Sequence, residues 1–215
     1  MSTANSSTPH LAHHFDTPEQ QFDAAKLGVW LFLCTEILMF GGLFVGYSIY
    51  HNLFPDMFAE GAKFLDWKLG AVNTIVLLFS SYTMAMAIHH AQKNEQAKCV
   101  TKLILTIICG IIFMGIKYYE YSHKFHMGLF PGSFFAYEGA QASNLAMYFS
   151  FYFLMTGLHG LHVVIGLGLI IWVLLKARKG EFGPEYFTPL EGVGLFWHLV
   201  DLVWIYLFPL LYLIG

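Results

Sequence analysis

Charged residues are scarce in this chain of 215 residues, since Asp, Glu, Lys and Arg make up only 12% of it, against about 25% in an average soluble domain. Hydrophobic residues make up 57% and aromatic residues 18% of the chain. This composition excludes an ordinary soluble domain and low-complexity disorder. The net charge of −3 gives no basic surface of the kind that binds nucleic acid.

Cysteines and recognised catalytic motifs are also scarce. Cys34, Cys99 and Cys109 are odd in number and show no C-x-x-C spacing, so neither a disulfide framework nor a cysteine-rich metal site is indicated. The sequence has no P-loop, no dinucleotide-binding glycine motif, no G-x-S-x-G and no H-E-x-x-H. We therefore expect no catalytic residue, no cofactor-binding residue and no metal ligand in this chain.

The first 25 residues contain no Lys or Arg and no apolar stretch, which is unlike a secretory signal. Five later stretches are apolar on all sides and reach the length of about 20 residues that a helix needs to cross a membrane. They cover residues 27–50, 69–88, 99–119, 145–175 and 192–214. Strands of an outer-membrane barrel would instead alternate in polarity. The sequence predicts an all-α polytopic membrane protein, with a polar tail over residues 1–25 and a five-helix bundle over residues 26–215.

Basic residues near the helix ends predict the orientation, because they collect on the cytoplasmic side of a membrane. The tail and the second and fourth loops hold seven of them: Lys26, Lys93, Lys98, Lys102, Lys176, Arg178 and Lys179. The first and third loops hold four: Lys63, Lys68, Lys117 and Lys124. This distribution favours a cytoplasmic N-terminus and an external C-terminus.

Glu36 is the clearest ionisable residue inside a predicted span. It lies about 15 Å into the first span at 1.5 Å per residue, close to the midplane, where an ionisable side chain costs at least about 2.5–3.5 kcal/mol. Such a carboxyl group either responds to protons or is held by a hydrogen bond to a neighbouring helix. The sequence leaves both interpretations open.

Two other spans carry polar residues that share a helical face. In the fifth span, His198 and Asp201 are three residues apart, and Trp197 and Trp204 flank the same face. We expect these four residues to form a polar network that fixes the helix against its neighbours, with proton or substrate handling as the alternative.

His159 and His162 share a face of the fourth span, and Glu120 ends the third span. Two such histidines could ligate haem iron, but axial ligands on two different helices would be required. We expect instead that they bond carboxylates on other helices, as part of the same intramembrane polar network as Glu120.

Glycines at close helical spacing lie on the first and fourth spans, at Gly42 and Gly46 and at Gly157 and Gly160. Small residues at such spacing let helix backbones approach each other. We predict that these four glycines pack helices together, with partners either in this chain or in another.

Four segments together resemble subunit three of the haem–copper oxidases. They are LGVWLFLCTEILMFGGLF at 27–44, YYEY at 118–121, GLHGLHVVIG at 157–166 and FWHLVDLVWIYLFPLLYLIG at 196–215. The similarity covers residues 26–215, and the segments occur in the same order as in the family. The chain is similar to the five-helix bacterial form, which lacks the first two helices of the seven-helix form.

The resemblance implies a non-catalytic subunit of a respiratory terminal oxidase in the bacterial cytoplasmic membrane, with haem and copper held by partner subunits. The main contact would be subunit one, followed by subunit two and by small subunits or a larger respiratory assembly. The implied role is to stabilise subunit one, to support proton uptake and to hold phospholipids at the interface between the subunits. Glu36 falls where the family has its intramembrane carboxylate, and His162, His198 and Asp201 fall within shared motifs.

Several alternatives remain open. Cytochrome c is the favoured electron donor, but quinol oxidases and a nitric-oxide-reductase-associated homologue share the five-helix pattern. A small haem b cytochrome would use His159, His162 and His198 with His89 or His90 as axial ligands. A proton-coupled transporter would be built around Glu36 and Asp201, but transporters typically have helices broken near midspan.

Overall fold

The structure of the chain is a computed structural model that describes residues 15–132, 135–136, 142–184 and 186–214. The side chains of residue 18 and of residues 142–144 are outside this description. Residues 1–14, most of the predicted polar tail, also lie outside it. The tail prediction therefore concerns mainly residues that the structure does not describe.

The described part of the chain contains six helices. Their bounds are α1 Pro18–Leu53, α2 Pro55–Ala62, α3 Trp67–Gln92, α4 Gln96–His126, α5 Ala142–Arg178 and α6 Thr188–Tyr212. All except α2 are long and apolar enough to cross a membrane. The predicted all-α fold with five membrane-spanning helices is confirmed.

Four of the five spanning helices extend beyond the predicted apolar stretches at both ends, and α6 extends beyond its stretch only at the start. The first begins at Pro18, where Thr17 caps it by accepting a hydrogen bond from the Gln20 N–H at 3.1 Å. A proline in the first turn suits a helix start, because the N–H that it lacks would have no partner in the helix. The helical hydrogen bonds thus begin in polar sequence and continue into the apolar stretch.

The third loop is shorter than the sequence indicates, because α4 continues to His126 instead of ending near residue 119. Lys117 and Lys124 therefore lie inside a helix, where both are buried. Counting them as loop residues was wrong, since buried lysines do not report loop charge.

The core lies where α3, α4, α5 and α6 pack together. Trp197 and Trp204 of α6 are fully buried there. Gly166 of α5 makes room for one of these indoles, since a Cβ on it would lie 2.8 Å from Cε3 of Trp197. The first helix packs against α5, α6 and α2 at the edge of this core and leaves most of its surface exposed.

The short helix α2 was absent from the sequence prediction. It buries Met57 and Phe58, and it packs against the beginning of α5 at Gly61, where a Cβ would lie 2.2 Å from Cδ1 of Tyr148. Eight residues are too few to cross a membrane, so the search for long apolar stretches could not detect this helix.

Candidate functional site

Glu36 of α1 and His162 of α5 form a pair across two helices. Glu36 lies at the middle of its helix, and its Oε2 is 2.9 Å from Nε2 of His162. The side chains are 14% and 11% exposed, respectively. The other ring nitrogen of His162, Nδ1, lies 2.7 Å from the carbonyl oxygen of Leu158.

The carbonyl contact determines how protons are distributed in this pair. A carbonyl oxygen only accepts hydrogen bonds, so Nδ1 of His162 carries a hydrogen. The contact between His162 and Glu36 then holds one further proton, either on the carboxyl group or on Nε2. Both arrangements have zero net charge, which lowers the cost of placing an acid and a base inside a membrane.

A second buried cluster surrounds Glu120 on α4. Lys117 Nζ donates to Oε2 of Glu120 at 2.9 Å, and Lys124 Nζ donates to Oε1 at 2.9 Å. The hydroxyl groups of Tyr152 and Tyr212 also donate to Oε1, at 2.9 and 2.6 Å. One carboxylate thus accepts four hydrogen bonds from three helices, α4, α5 and α6.

Glu120 was predicted from the sequence as a polar network residue, whereas the four donors to it were not. The signal for the lysines was present, because Lys117 and Lys124 stand three residues before and four residues after Glu120, on one helical face. The two lysine side chains are only 8% and 2% exposed. This cluster joins the end of α4 to the beginning of α5 and the end of α6.

Polar contacts also join α6 to α3. Trp197 Nε1 donates to Ser80 at 3.0 Å, and Trp204 Nε1 donates to Thr74 at 3.0 Å. His198 Nδ1 lies 2.6 Å from the hydroxyl oxygen of Ser81. Asp201 is buried on the same helix, with 3% exposure. The indoles and His198 thus bond hydroxyl groups of α3, and no hydrogen bond among these α6 side chains occurs in the described part of the chain.

His159 lies in the core and is 1% exposed. Its ring centroid is 5.4 Å from that of Trp204 and 5.7 Å from that of Phe113. The next histidine on the helix, His162, has both ring nitrogens in contact with other groups. An iron held between helices requires a histidine nitrogen from each, and His162 offers none. Among the described residues, no group of three His, Cys, Asp or Glu side chains could hold a metal ion.

The glycines predicted to pack helices lie in open surroundings. A Cβ on Gly42 or Gly160 would have no neighbour within 4 Å, and one on Gly46 or Gly157 would meet only a single atom, at 3.9 or 3.8 Å. Among the described residues, the glycines at which a Cβ would lie less than 3.0 Å from another side chain are different ones: Gly61, Gly70, Gly110, Gly166 and Gly194. That the four predicted glycines pack against another chain remains a hypothesis.

Glu95, in the loop between α3 and α4, bonds side chains from the adjoining ends of both helices. Lys98 Nζ donates to Oε1 of Glu95 at 3.0 Å, and Nδ1 of His90 lies 2.6 Å from Oε2. The hydrogen bonds from Lys98 and His90 hold the pKa of Glu95 below its usual value of 4.5. Gln96 also donates a hydrogen bond to the carbonyl oxygen of Phe182, which ties this loop to the connection between α5 and α6.

Comparison with known proteins shows similarity along nearly the whole chain. The family model described as cytochrome c oxidase subunit III matches residues 11–215. The chain is 38% identical over 209 residues to a cytochrome c oxidase subunit 3 of Synechocystis, covering 96% of this chain and 82% of that protein. It is 30% identical over 206 residues to a protein of Staphylococcus haemolyticus named "Probable quinol oxidase subunit 3", covering 96% of each.

Proposed function

The chain belongs to the cytochrome c oxidase subunit III family of haem–copper oxidases, and we propose that it serves as the non-catalytic third subunit of a cytochrome c oxidase. It is therefore a multi-pass membrane subunit of a respiratory oxidase. The match of the family model over residues 11–215 is the observation that carries this proposal.

The electron donor is the finer part of the proposal. The identity of 38% to a cytochrome c oxidase subunit, against 30% to the quinol oxidase subunit, supports cytochrome c. Quinol is the second candidate, because the match to the quinol oxidase subunit covers 96% of both chains.

The arrangement of polar groups supports a structural role. The Glu36–His162 pair has zero net charge, and Glu120 and its donors satisfy one another at the end of the bundle. We propose that haem and copper are held by subunits I and II and that this chain packs chiefly against subunit I. The contacts between its helices would then make this chain a rigid neighbour of subunit I. In that position it would support proton uptake and hold lipids at the interface between the two subunits.

The orientation is also part of the proposal. Apart from the buried Lys117 and Lys124, only Lys63 and Lys68 lie in or beside the first and third loops, against seven basic residues in the tail and in or beside the second and fourth loops. This larger difference supports a cytoplasmic N-terminus and an external C-terminus.

Oxygen consumption tests the donor directly. The complex would be purified through a tag on this chain and supplied in turn with reduced cytochrome c and with a reduced quinol. We expect oxygen consumption with reduced cytochrome c and none above background with the quinol. Turnover with the quinol alone would overturn the cytochrome c assignment while leaving family membership unchanged.

A further inference from the structure

Three polar side chains in the core have no hydrogen-bond partner among the described residues. They are Asn73 of α3, His159 of α5 and Asp201 of α6, and each is at most 3% exposed. Both polar atoms of each side chain lack a partner within the described part of the chain: the amide nitrogen and oxygen, the two ring nitrogens and the two carboxyl oxygens. Buried polar groups are costly unless they are hydrogen-bonded, and the hydrocarbon around a membrane-spanning bundle offers them no partner.

Asn73 lies on the face of α3 that packs against α6. Gly70 and Ser80, three residues before and seven residues after Asn73, share this helical face. A Cβ on Gly70 would lie 2.6 Å from Cε2 of Phe208. Ser80 accepts a hydrogen bond from the indole of Trp197 at 3.0 Å. Asn73 therefore faces the stretch of α6 between Trp197 and Phe208.

The indole of Trp204 lies on that stretch and adjoins all three helices. Asp201 precedes it by three residues and shares its helical face. The indole nitrogen of Trp204 donates to Thr74, the residue next to Asn73, at 3.0 Å. On the other side, the ring centroid of His159 is 5.4 Å away. The three unpartnered side chains therefore lie in one region of the core, around one indole.

The carboxyl group of Asp201 is surrounded by donors that bond other groups. Ser81 lies near it, but the hydroxyl group of Ser81 makes its hydrogen bond with Nδ1 of His198, at 2.6 Å. The indoles of Trp197 and Trp204, on the same face of α6, donate to hydroxyl groups of α3. A further partner is needed for this carboxyl group.

The unpartnered atoms include both donors and acceptors. The amide of Asn73 donates through Nδ2 and accepts through Oδ1, and a neutral His159 has one ring nitrogen of each kind. A metal cation would satisfy only the acceptors. Water both donates and accepts, and a buried water molecule typically makes about three hydrogen bonds to otherwise unsatisfied polar groups.

We propose that this region of the core binds internal water molecules, held by Asn73, His159 and Asp201 beside Trp204. The water molecules join α3, α5 and α6 through hydrogen bonds that these side chains do not make to one another in the described part of the chain. The site concerns this chain alone and does not depend on which electron donor the oxidase uses.

X-ray radiolytic labelling tests the proposal with the intact complex. Irradiation converts water into hydroxyl radicals, which oxidise neighbouring side chains before they diffuse away. We expect oxidation of Trp204, although it is fully buried. Met84 is the internal control, because it is also fully buried, carries a readily oxidised thioether and lies about 16 Å along α3 from Asn73. Met84 should stay unoxidised.

The exposed Trp67, at the start of α3, shows when the radiation dose is sufficient. An unoxidised Trp204 at doses that oxidise Trp67 would overturn the proposal. Oxidation of Met84 to the same extent as Trp204 would also overturn it, because the label would then not report water at this site.

A triple variant with Asn73→Leu, His159→Phe and Asp201→Leu removes the polar groups that hold the water. We expect this variant to lose the oxidation of Trp204. Oxidation equal to that of the wild type would contradict the proposal.

The matched control combines Thr83→Val with Thr106→Val. These residues are as deeply buried as Asn73, but their hydroxyl groups bond each other at 2.8 Å and need no water. We expect the oxidation of Trp204 in this double variant to equal that of the wild type. Its loss there would show that any removal of buried polar groups abolishes the label and would contradict the assignment.

Electron cryo-microscopy of the wild-type complex decides the question if the triple variant fails to assemble. At a resolution that shows ordered water, we expect density within hydrogen-bond distance of the Asn73 amide and of a ring nitrogen of His159. A direct hydrogen bond between Asn73 and Asp201, with no water beside either, would overturn the proposal.

Discussion

Replacing Glu120 by Gln should strongly destabilise the chain. The substitution keeps the size of the side chain and removes the one carboxylate that directly contacts Lys117 and Lys124 among the described residues. The side chains of these two lysines are 8% and 2% exposed. Asp66, a further carboxylate that acts on Lys124, is exposed and does not take the place of Glu120. Two buried ammonium groups would thus lose their counter-charge.

The expected cost follows from the burial of the cluster. Removing one partner of a buried ion pair typically costs about 3–5 kcal/mol. In a chain of this size, each kcal/mol lowers the melting temperature by about 2–4 °C, so we expect a decrease of about 6–20 °C. The assay heats the purified complex and measures the temperature at which half of this chain is lost from the soluble peak in size-exclusion chromatography.

Two further variants separate charge burial from other effects. Glu95→Gln removes a carboxylate that also bonds a lysine but lies in an exposed loop, and it should change the melting temperature little. A triple variant with Lys117→Met, Glu120→Gln and Lys124→Met removes all three charges together and should recover most of the loss. A Glu120→Gln protein that melts at the same temperature as the wild type would refute the reasoning.

Three other predictions use the same purified complex. Glu36→Leu should lower the melting temperature, because an unpaired buried group on His162 costs about 1–3 kcal/mol; Glu36→Gln keeps a hydrogen bond and should change it little, and its proton-pumping stoichiometry should equal that of the wild type. Gly166→Ala should lower the melting temperature, because overpacking costs about 1–3 kcal/mol of stability. Gly168→Ala, where the added methyl group meets no neighbour, should not lower it. Because the pKa of Glu95 is lowered in the folded chain, its bonds should stabilise the α3–α4 loop above about pH 4.5 and lose that effect as the pH falls further; faster intrinsic-rate-corrected hydrogen exchange of residues 93–98 at pH 3.5 than at pH 6 would show this, and equal protection at both values would contradict it.

The five spans could be predicted from the sequence, because an apolar stretch of about twenty residues can cross a membrane only as a helix or in a closed barrel. The ends of the helices could not be predicted. The polar and aromatic sequence YYEYSHKFH at 118–126 was interpreted as the end of a span. It is helical because Glu120 satisfies Lys117 and Lys124 within the bundle.

Pairing between helices depended on packing that the sequence does not display. Glu36 and His162 are 126 residues apart, and each was singled out separately as a polar residue inside a span. The spacing of glycines likewise could not distinguish Gly166, which faces an indole, from Gly160, where a Cβ would have no neighbour within 4 Å. The apolar stretches predict which helix carries each residue, but the neighbours of that residue depend on how the helices pack.

Purification through a tag on this chain tests the central claim most directly. The chain would be extracted from its native membrane in mild detergent, and the purified material would be analysed by visible spectroscopy and mass spectrometry. We expect haem–copper oxidase subunits to accompany it, with the haem absorption lost once this chain is separated from them. A chain that purifies alone, whether colourless or with a haem of its own, would contradict its assignment as subunit III of an oxidase.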